Sequence, residues 1–305
     1  MPTLTVVIPA TDRPWTLGRA VAAVERASDA PEEVIVVDRP QRLGPAASRN
    51  LGARRAAGDV LVFIDADVEV HDDALARIRK AFDADPALAA IFGSYDEDPG
   101  AGGIVSDFRN LLHHHVHHQA AGVASTFWAG LGAIRRDVFL ELGGFDELRF
   151  PHASIEDIEL GMRLYADGRR IVLDPSIQGK HLKRWTLVTM TKTDLLRRGA
   201  PWLRLMLEQR SNSTALNLGW ANRIGAGTSL LLVVALIRRN VSLAAGALSL
   251  LILLDRKFYR LLWRRRGARL AAAAVPLQLV HRLTSVAAVP VALGGHLREK
   301  RRPYT

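Results

Sequence analysis

The run Val60-Leu-Val-Phe-Ile64 constrains this chain more than any other stretch. Five apolar residues without a polar break, rich in β-branched and aromatic side chains, read as a strand buried on both faces. The strand ends in two carboxylates one residue apart, Asp65 and Asp67. In open parallel sheets, ligands bind beyond the carboxyl ends of the strands. Carboxylates at that point can hold a hard divalent cation, Mg2+ or Mn2+, that shares its shell with substrate phosphates. Taken alone, Asp-x-Asp is common and reads as turn residues closing a strand. The surrounding chain shifts the balance.

Leu4–Ile8 reads as a first buried strand closed by Pro9, and Val34–Val37 as a second that ends at Asp38. Leu17, Ala20, Val21 and Val24 recur at helical spacing between them. A second helix is expected from Pro45, a favoured first position, through Arg49 and Asn50 to about Ala57, where Gly58 stops it. A third begins near Asp72, with Leu75, Ile78 and Phe82 on one face. This alternation implies βαβ units and an α/β fold with a mostly parallel, Rossmann-like sheet. The strand ends at Pro9, Asp38 and Asp65 would then lie along one edge, where a nucleotide fits.

Residues 100–134 look less regular and include His113, His114, His115, His117 and His118. Helical spacing would pair His113 with His117 and His114 with His118, a conceivable metal set. No second ligand set stands at the right spacing, so an exposed or substrate-facing polar helix is the expectation. Ser154-Ile-Glu-Asp157 opens a further helix, with Ile155, Ile158, Met162 and Tyr165 at helical spacing and Gly168 at its end. Ser-x-x-Asp is a capping-box pattern. The functional reading makes Asp157 a general base at a pocket wall, but taken alone the pattern favours capping.

The charge of the chain is divided. Residues 1–183 carry 20 Lys+Arg against 27 Asp+Glu, and residues 184–305 carry 21 against 4. Basic charge alone suits nucleic acid. Here it alternates with uncharged apolar runs, which points to a membrane surface and away from nucleic acid. Residues 186–210 look amphipathic and basic, as a segment lying on a bilayer would. Ile224–Ile237 and Val241–Leu254 hold 14 uncharged residues each, short of the ~20 that span a bilayer. Extension toward Trp220, with Arg223 snorkelling, lengthens the first. Leu270–Gly295 is a third apolar stretch, broken by His281, Arg282 and two prolines, that spans, re-enters or lies at the interface. Arg256–Arg269 is dense in cations and is expected on the cytosolic side. The chain has no cysteine, which suits a reducing compartment. It opens without a secretory signal, so the N-terminal domain is expected to stay in the cytosol.

The motifs, taken in order, resemble those of inverting family 2 glycosyltransferases, which have the GT-A fold. The resemblance covers about residues 4–185. It rests on Val6-Val-Ile-Pro9, Val36-Val-Asp38, Ser48-Arg-Asn-Leu-Gly52, Phe63-Ile-Asp-Ala-Asp67, Gly143-Gly-Phe-Asp-Glu147 and Ile155-Glu-Asp157. Ser125–Gly130, Gly132–Arg136 and His181–Thr186 resemble a bacterial subgroup with a membrane C-terminus. The resemblance implies a nucleotide-sugar donor bound by Pro9, Asp38, Arg49 and Asp65. It implies Mg2+ or Mn2+ on Asp67, with Asp65 and His181 at the metal. It implies Asp157 as the base that deprotonates the acceptor, with Glu156 beside it. Arg184 and Trp185 loosely match the Gln-x-x-Arg-Trp of processive synthases at the acceptor or diphosphate. The Gln is absent, which favours single transfer. Relatives carry a second carboxylate after the second strand; here Arg39 stands in its place and leaves the donor's base and sugar open.

The expected organisation is a catalytic domain over residues 1–185, an amphipathic juxtamembrane segment over 186–223, membrane helices over 224–297 and a basic tail over 298–305. The expected function is metal-dependent transfer of a sugar to a lipid or polyprenyl-linked acceptor by a multi-pass protein of the cell membrane. The alternative is an inactive nucleotide-sugar sensor or scaffold at the membrane.

Overall fold

The computed structural model describes residues 1–209 and 219–300, with side chains described as far as Arg298. Arg210, the following stretch to residue 218, and residues 301–305 of the basic tail lie outside the described residues. The chain divides into two compact units, one of residues 1–101 and 116–183, the other of residues 102–115 and 184–305.

The first unit is built on one sheet. Strands β1 (Leu4–Pro9), β2 (Glu33–Val37) and β3 (Val60–Ile64) run parallel, with β1 between the other two. Helices α1 (Leu17–Glu25) and α2 (Pro45–Arg55) connect them. Every residue of β3 is fully buried, as an unbroken apolar run requires. Because β2, β1 and β3 are parallel neighbours, Pro9, Asp38 and Asp65 stand on one edge of the sheet.

Beyond β3 the alternation stops. A short β4 (Val68–Val70), helix α3 (Ala74–Ala84) and β5 (Leu88–Tyr95) come first. The stretch that looked irregular then holds α4 (Ile104–Gln119), β6 (Gly122–Ala124) and β7 (Leu131–Arg135). Helices α5 (Arg136–Glu141) and α6 (Glu156–Ala166) precede the last strand, β8 (Arg170–His181). The strand order is β2-β1-β3-β7-β5-β8-β4, with β6 also on β8. β7 is antiparallel to both β3 and β5, so the sheet is mixed rather than uniformly parallel. The fold class is therefore as the sequence implied, a GT-A-like α/β sheet with flanking helices.

Two local expectations are corrected. The N-cap of α6 is Ile155, without a side-chain cap bond, and the Ser154 N–H donates to Glu156 Oε2 at 2.8 Å. The helix also turns a different face inward. Glu156, Glu159, Leu160, Gly161 and Leu164 are buried, whereas Tyr165 is 58% exposed. Buried acids are tolerated there because arginines meet them: Arg49 holds Glu156, and Arg163 binds Glu159 at 2.7 Å. In α4, His114 and His117 are buried rather than on an exposed polar face. The His117 Nδ1–H donates to the Gly93 carbonyl at 2.9 Å, and its ring packs edge-on against Phe92 and Trp128. Satisfied hydrogen bonding and aromatic packing make that burial acceptable.

The second unit is helical. Thr186 and Thr189 cap each other at the start of α7 (Leu187–Lys192). A π-helical segment, Thr193–Gly199, leads into α8 (Ala200–Glu208). Next come α9 (Trp220–Ile237), α10 (Val241–Leu254) and α11 (Arg256–Lys300), which breaks at Gly267 (φ 76°, ψ −176°). α9 and α11 are long and apolar enough to cross a membrane. α10 has 14 residues, about 21 Å of helix, short of the roughly 30 Å hydrocarbon core. The segment read as amphipathic packs one face within the unit, where Ala200 and Leu203 meet Ala288 and Ala292 of α11. The third apolar stretch is a continuous helix beyond Gly267, with Pro276 and Pro290 inside it. Its charges are paired. Arg282 binds Asp255 at 2.8 Å, and His281 Nδ1 meets Asp194 Oδ2 at 2.8 Å.

Asp194 is buried in the π-helical segment and also takes Arg109 at 2.7 Å. Burial pushes its carboxyl upward, but Arg109, His281 and Arg198 more than offset this and hold it at about 2. A folded-state pKa below the unfolded one stabilises the fold above the unfolded value, here about 4, and that stability is lost as pH falls toward 2. The contribution is about 2 kcal/mol. Thermal unfolding of the detergent-solubilised chain should therefore show a midpoint that drops between pH 4 and 2. In Asp194→Ala the midpoint should be lower at neutral pH and should lose much of that acid dependence, because Arg109 is left buried without its carboxylate.

Candidate active site

The site-bearing edge of the first unit is held by one buried cation. Arg49 lies in α2, whose first residue is Pro45. Its Nη2 donates to Asp65 Oδ1 at 2.6 Å and its Nη1 to Glu156 Oε1 at 2.9 Å. The guanidinium also lies 5.6 Å from the centre of the Phe145 ring. Burial works against its charge, yet Asp65, Glu156 and Asp157 together drive its pKa further upward, so it stays protonated. Two sequence motifs interlock here. The Asn50 Nδ2 donates to the Phe145 carbonyl and to Glu147 Oε2, both at 2.8 Å, and Asn50 Oδ1 accepts from the Phe145 N–H at 2.9 Å. Gly144 permits this approach, for its φ is 71° and a Cβ would fall 2.6 Å from Asn50 Oδ1.

Asp65 ends β3, and its N–H donates to the Gly130 carbonyl at 3.1 Å. Burial raises its carboxyl, and Asp67 and Glu156 add repulsion that Arg49 counters without cancelling. Asp67 follows on the turn into β4. Its partner comes from the last strand, because β4 pairs with β8 so that Val68 stands opposite His181. The Leu182 N–H donates to the Asp67 carbonyl at 2.8 Å, and His181 Nε2 lies 3.6 Å from Asp67 Oδ2. Burial pushes the Asp67 carboxyl up, but the hydrogen bond and charge of His181, then Lys183, hold it below the usual range. The His181 ring is stacked on Tyr95 at 4.1 Å and 8°, and Tyr95 meets Trp128 edge-on at 4.9 Å.

Asp157 projects from the first turn of α6. Its Oδ2 accepts from the Ala129 N–H at 3.2 Å and its Oδ1 from the Ile158 N–H at 2.8 Å. The approach depends on Gly161, one turn along, where a Cβ would sit 2.1 Å from the Phe127 nitrogen. Glu156, by contrast, is buried with one oxygen on Arg49 and the other on the Ser154 N–H.

The structure therefore brings Asp65, Arg49 and Glu156 into direct contact, sets Asp67 against His181, and places Asp157 beside Glu156. Pro9 ends β1 on the same edge, and Asp38 lies exposed just past the end of β2. Trp185 belongs to the second unit, where its N–H donates to Ser106 Oγ at 2.9 Å and its ring meets Arg109. Arg184 is exposed in that unit. Tyr95 and Lys183 were not singled out from sequence. Tyr95 closes a strand without a motif of its own, and only the fold brings it to His181.

Among the described residues no group of three or more His, Asp or Glu side chains forms a metal-binding cluster. Two donors from the protein still fit a divalent cation. Adjacent ligands on bonds of roughly 2.1 Å stand about 3 Å apart, and such ions commonly take one or two side chains and complete their shell with phosphate and water. Asp67 and His181, 3.6 Å apart at a sheet edge, meet that requirement after a small adjustment.

Residues 18–143 match the family model "Glycosyl transferase family 2". No curated protein matches the chain. Among solved structures, a mannosyltransferase from Pyrobaculum calidifontis in complex with GDP-Man and Mn2+ has a TM-score of 0.56 at 16% identity, over 96% of this chain and 87% of that one. GalNAc-T7 with UDP, GalNAc and Mn2+ gives 0.49 at 18% identity, over 74% of this chain and 51% of that one.

Arg49→Met should be among the most destabilising single substitutions in the first unit, because it leaves Asp65 and Glu156 without their cation. The expected loss is about 3–5 kcal/mol by chemical denaturation. Arg49→Lys should recover part of the stability and little of the geometry, since an ammonium does not present two parallel donors to two carboxylates.

Proposed function

We propose that this chain, whose residues 18–143 match the glycosyl transferase family 2 model, moves a sugar from a nucleotide-sugar donor to a lipid or lipid-linked acceptor at a membrane, with inversion and with a divalent metal. The observation that carries the donor half is Asp67 lying 3.6 Å from His181 at the carboxyl edge of the sheet, where β3 ends just before Asp65. The Pyrobaculum calidifontis mannosyltransferase with GDP-Man and Mn2+ supports the same reading by its fold. The observation that carries the membrane half is exposure. Only 22% of α9 is buried, and Leu230, Leu231, Val234, Leu236 and Ile237 point outward. A soluble protein would cover such a face. The basic arm of α11 then lies on the cytosolic side, as does the catalytic domain.

In this mechanism Pro9 and Asp38 line the nucleoside end of the donor. Asp65, steadied by Arg49, would contact the ribose and the metal shell. Asp67 and His181 would hold Mg2+ or Mn2+. When bound, that cation supplies Lewis-acid stabilisation to the departing nucleoside diphosphate. Asp157 takes the proton from the acceptor hydroxyl as its oxygen bonds to the anomeric carbon. The bond from that carbon to the diphosphate breaks on the opposite face, which inverts the centre. An acceptor that is already a phosphate needs little from the base. Glu156, buried against the Arg49 guanidinium, is a positioning residue that sets the first turn of α6, whereas Asp157 is partly exposed.

Asp157→Asn should reduce transfer by roughly 10²–10⁴-fold while nucleotide-sugar binding, measured calorimetrically, is retained. EDTA should weaken donor binding in wild-type and variant alike. Unchanged turnover in Asp157→Asn would overturn the base assignment. Donor binding with no turnover against any lipid acceptor would point to a sensor instead.

A further inference from the structure

The basic arm of α11 has two unlike faces. Phe258 and Leu262 are fully buried, and the Phe258 ring meets Phe108 at 5.7 Å and His115 at 5.2 Å. Arg266 adds a contact to Asp107 at 3.4 Å. That face is committed to packing within the second unit. The other carries Arg260, Arg264 and Trp263, and the Trp263 side chain is 62% exposed. Among the described residues neither Arg260 nor Arg264 pairs with a carboxylate. Residues 256–269 hold seven Lys or Arg and no Asp or Glu.

The backbone makes a site of this face. At Gly267 the helix breaks with a left-handed φ of 76°, and the chain resumes as the apolar arm. An open cleft of about 480 Å³ lies at the break, lined by Tyr259, Arg260, Trp263, Arg264 and Ala271. One side offers two guanidinium forks, which match a phosphate better than any other common group. Tyr259 adds an aromatic wall and a hydroxyl. The floor at Ala271 opens onto the start of the apolar stretch. Trp263 combines an apolar ring with a polar edge, the side chain suited to the boundary between headgroups and acyl chains.

We propose that this cleft binds the phosphate headgroup of an anionic membrane lipid, with Arg260 and Arg264 on the phosphate and the acyl chains directed along the apolar arm of α11. Charge complementarity selects the occupant: two unpaired cations at the boundary of an apolar helix match a ligand that is anionic at one end and apolar at the other. The proposal rests on the membrane reading above and extends it from a general attraction to one defined site.

Native mass spectrometry of the full chain in neutral detergent tests it, with phosphatidic acid, phosphatidylcholine and inorganic phosphate as probes. The wild type should retain phosphatidic acid in preference to phosphatidylcholine. Arg260→Gln with Arg264→Gln should lower that retention roughly tenfold. Arg238→Gln with Arg239→Gln, at the turn between α9 and α10, removes the same charge and should leave retention unchanged. Equal loss in both pairs would mean diffuse attraction and overturn the site. Displacement of phosphatidic acid by an equal concentration of inorganic phosphate would overturn the lipid as occupant. Vesicle flotation separates the two levels. A wild-type chain that floats yet shows no dependence on Arg260 and Arg264 overturns the site alone, whereas a chain that stays with the soluble fraction overturns the membrane reading beneath it.

Discussion

A single buried guanidinium holds the carboxyl edge of the sheet to helix α6. Arg49 reaches from α2 to the end of β3 through Asp65 and to the first turn of α6 through Glu156. Taking three ionised groups out of water is costly, and the arrangement is stable only while each charge keeps its partner. That condition makes the site stiff. Asp65 cannot swing without stranding Arg49, and α6 cannot rotate without stranding Glu156. Asp157 inherits its direction from this fixed turn. The residues placed at the chemistry are thus neighbours of the ion network, and the network itself works behind them.

Backbone proximity supplies the rest of the geometry. Gly161 lets α6 touch the chain at Phe127, which brings the Ala129 N–H to Asp157. The register of β4 on β8 does the same for Asp67 and His181. Aromatic packing continues the order outward, since His181 lies flat on Tyr95 and Tyr95 abuts Trp128. In the second unit the same rule governs the charges of the helical region. Asp194, Arg109, His281, Asp255 and Arg282 are buried, but in pairs and triplets.

Much of this was legible in the residues. The unbroken run at Val60–Ile64, the carboxylates after it and the alternation up to Phe82 locate the sheet edge without any structure, because buried parallel strands must be apolar throughout. Legibility fades where the signal is not local. β7 contains Gly132 and Ala133, too small to mark a strand, and it enters the sheet only through antiparallel pairing with β3 and β5. The packing of α6 was only partly visible: Ile155, Leu160 and Leu164 are buried apolar residues, but Glu156 and Glu159 are buried beside them on arginine partners that lie elsewhere in the chain or one turn along. The burial of His114 and His117 was hidden for the same reason, since a histidine run looks polar until a carbonyl and aromatic rings are found around it. Arg49 was visible within its motif, but its two partners, 16 and 107 residues away, were not.

The pairing of Val68 with His181 also bears on how the protein is made. Asp67 meets His181 only when the final strand has docked between β5 and β4, more than a hundred positions later in synthesis. Long-range strand pairing of this kind is slow, and it follows local helix formation. A chain that stops short of β8 already has the edge at Pro9, Asp38 and Asp65 but lacks His181. Completion of the sheet is therefore the step that gives Asp67 its partner.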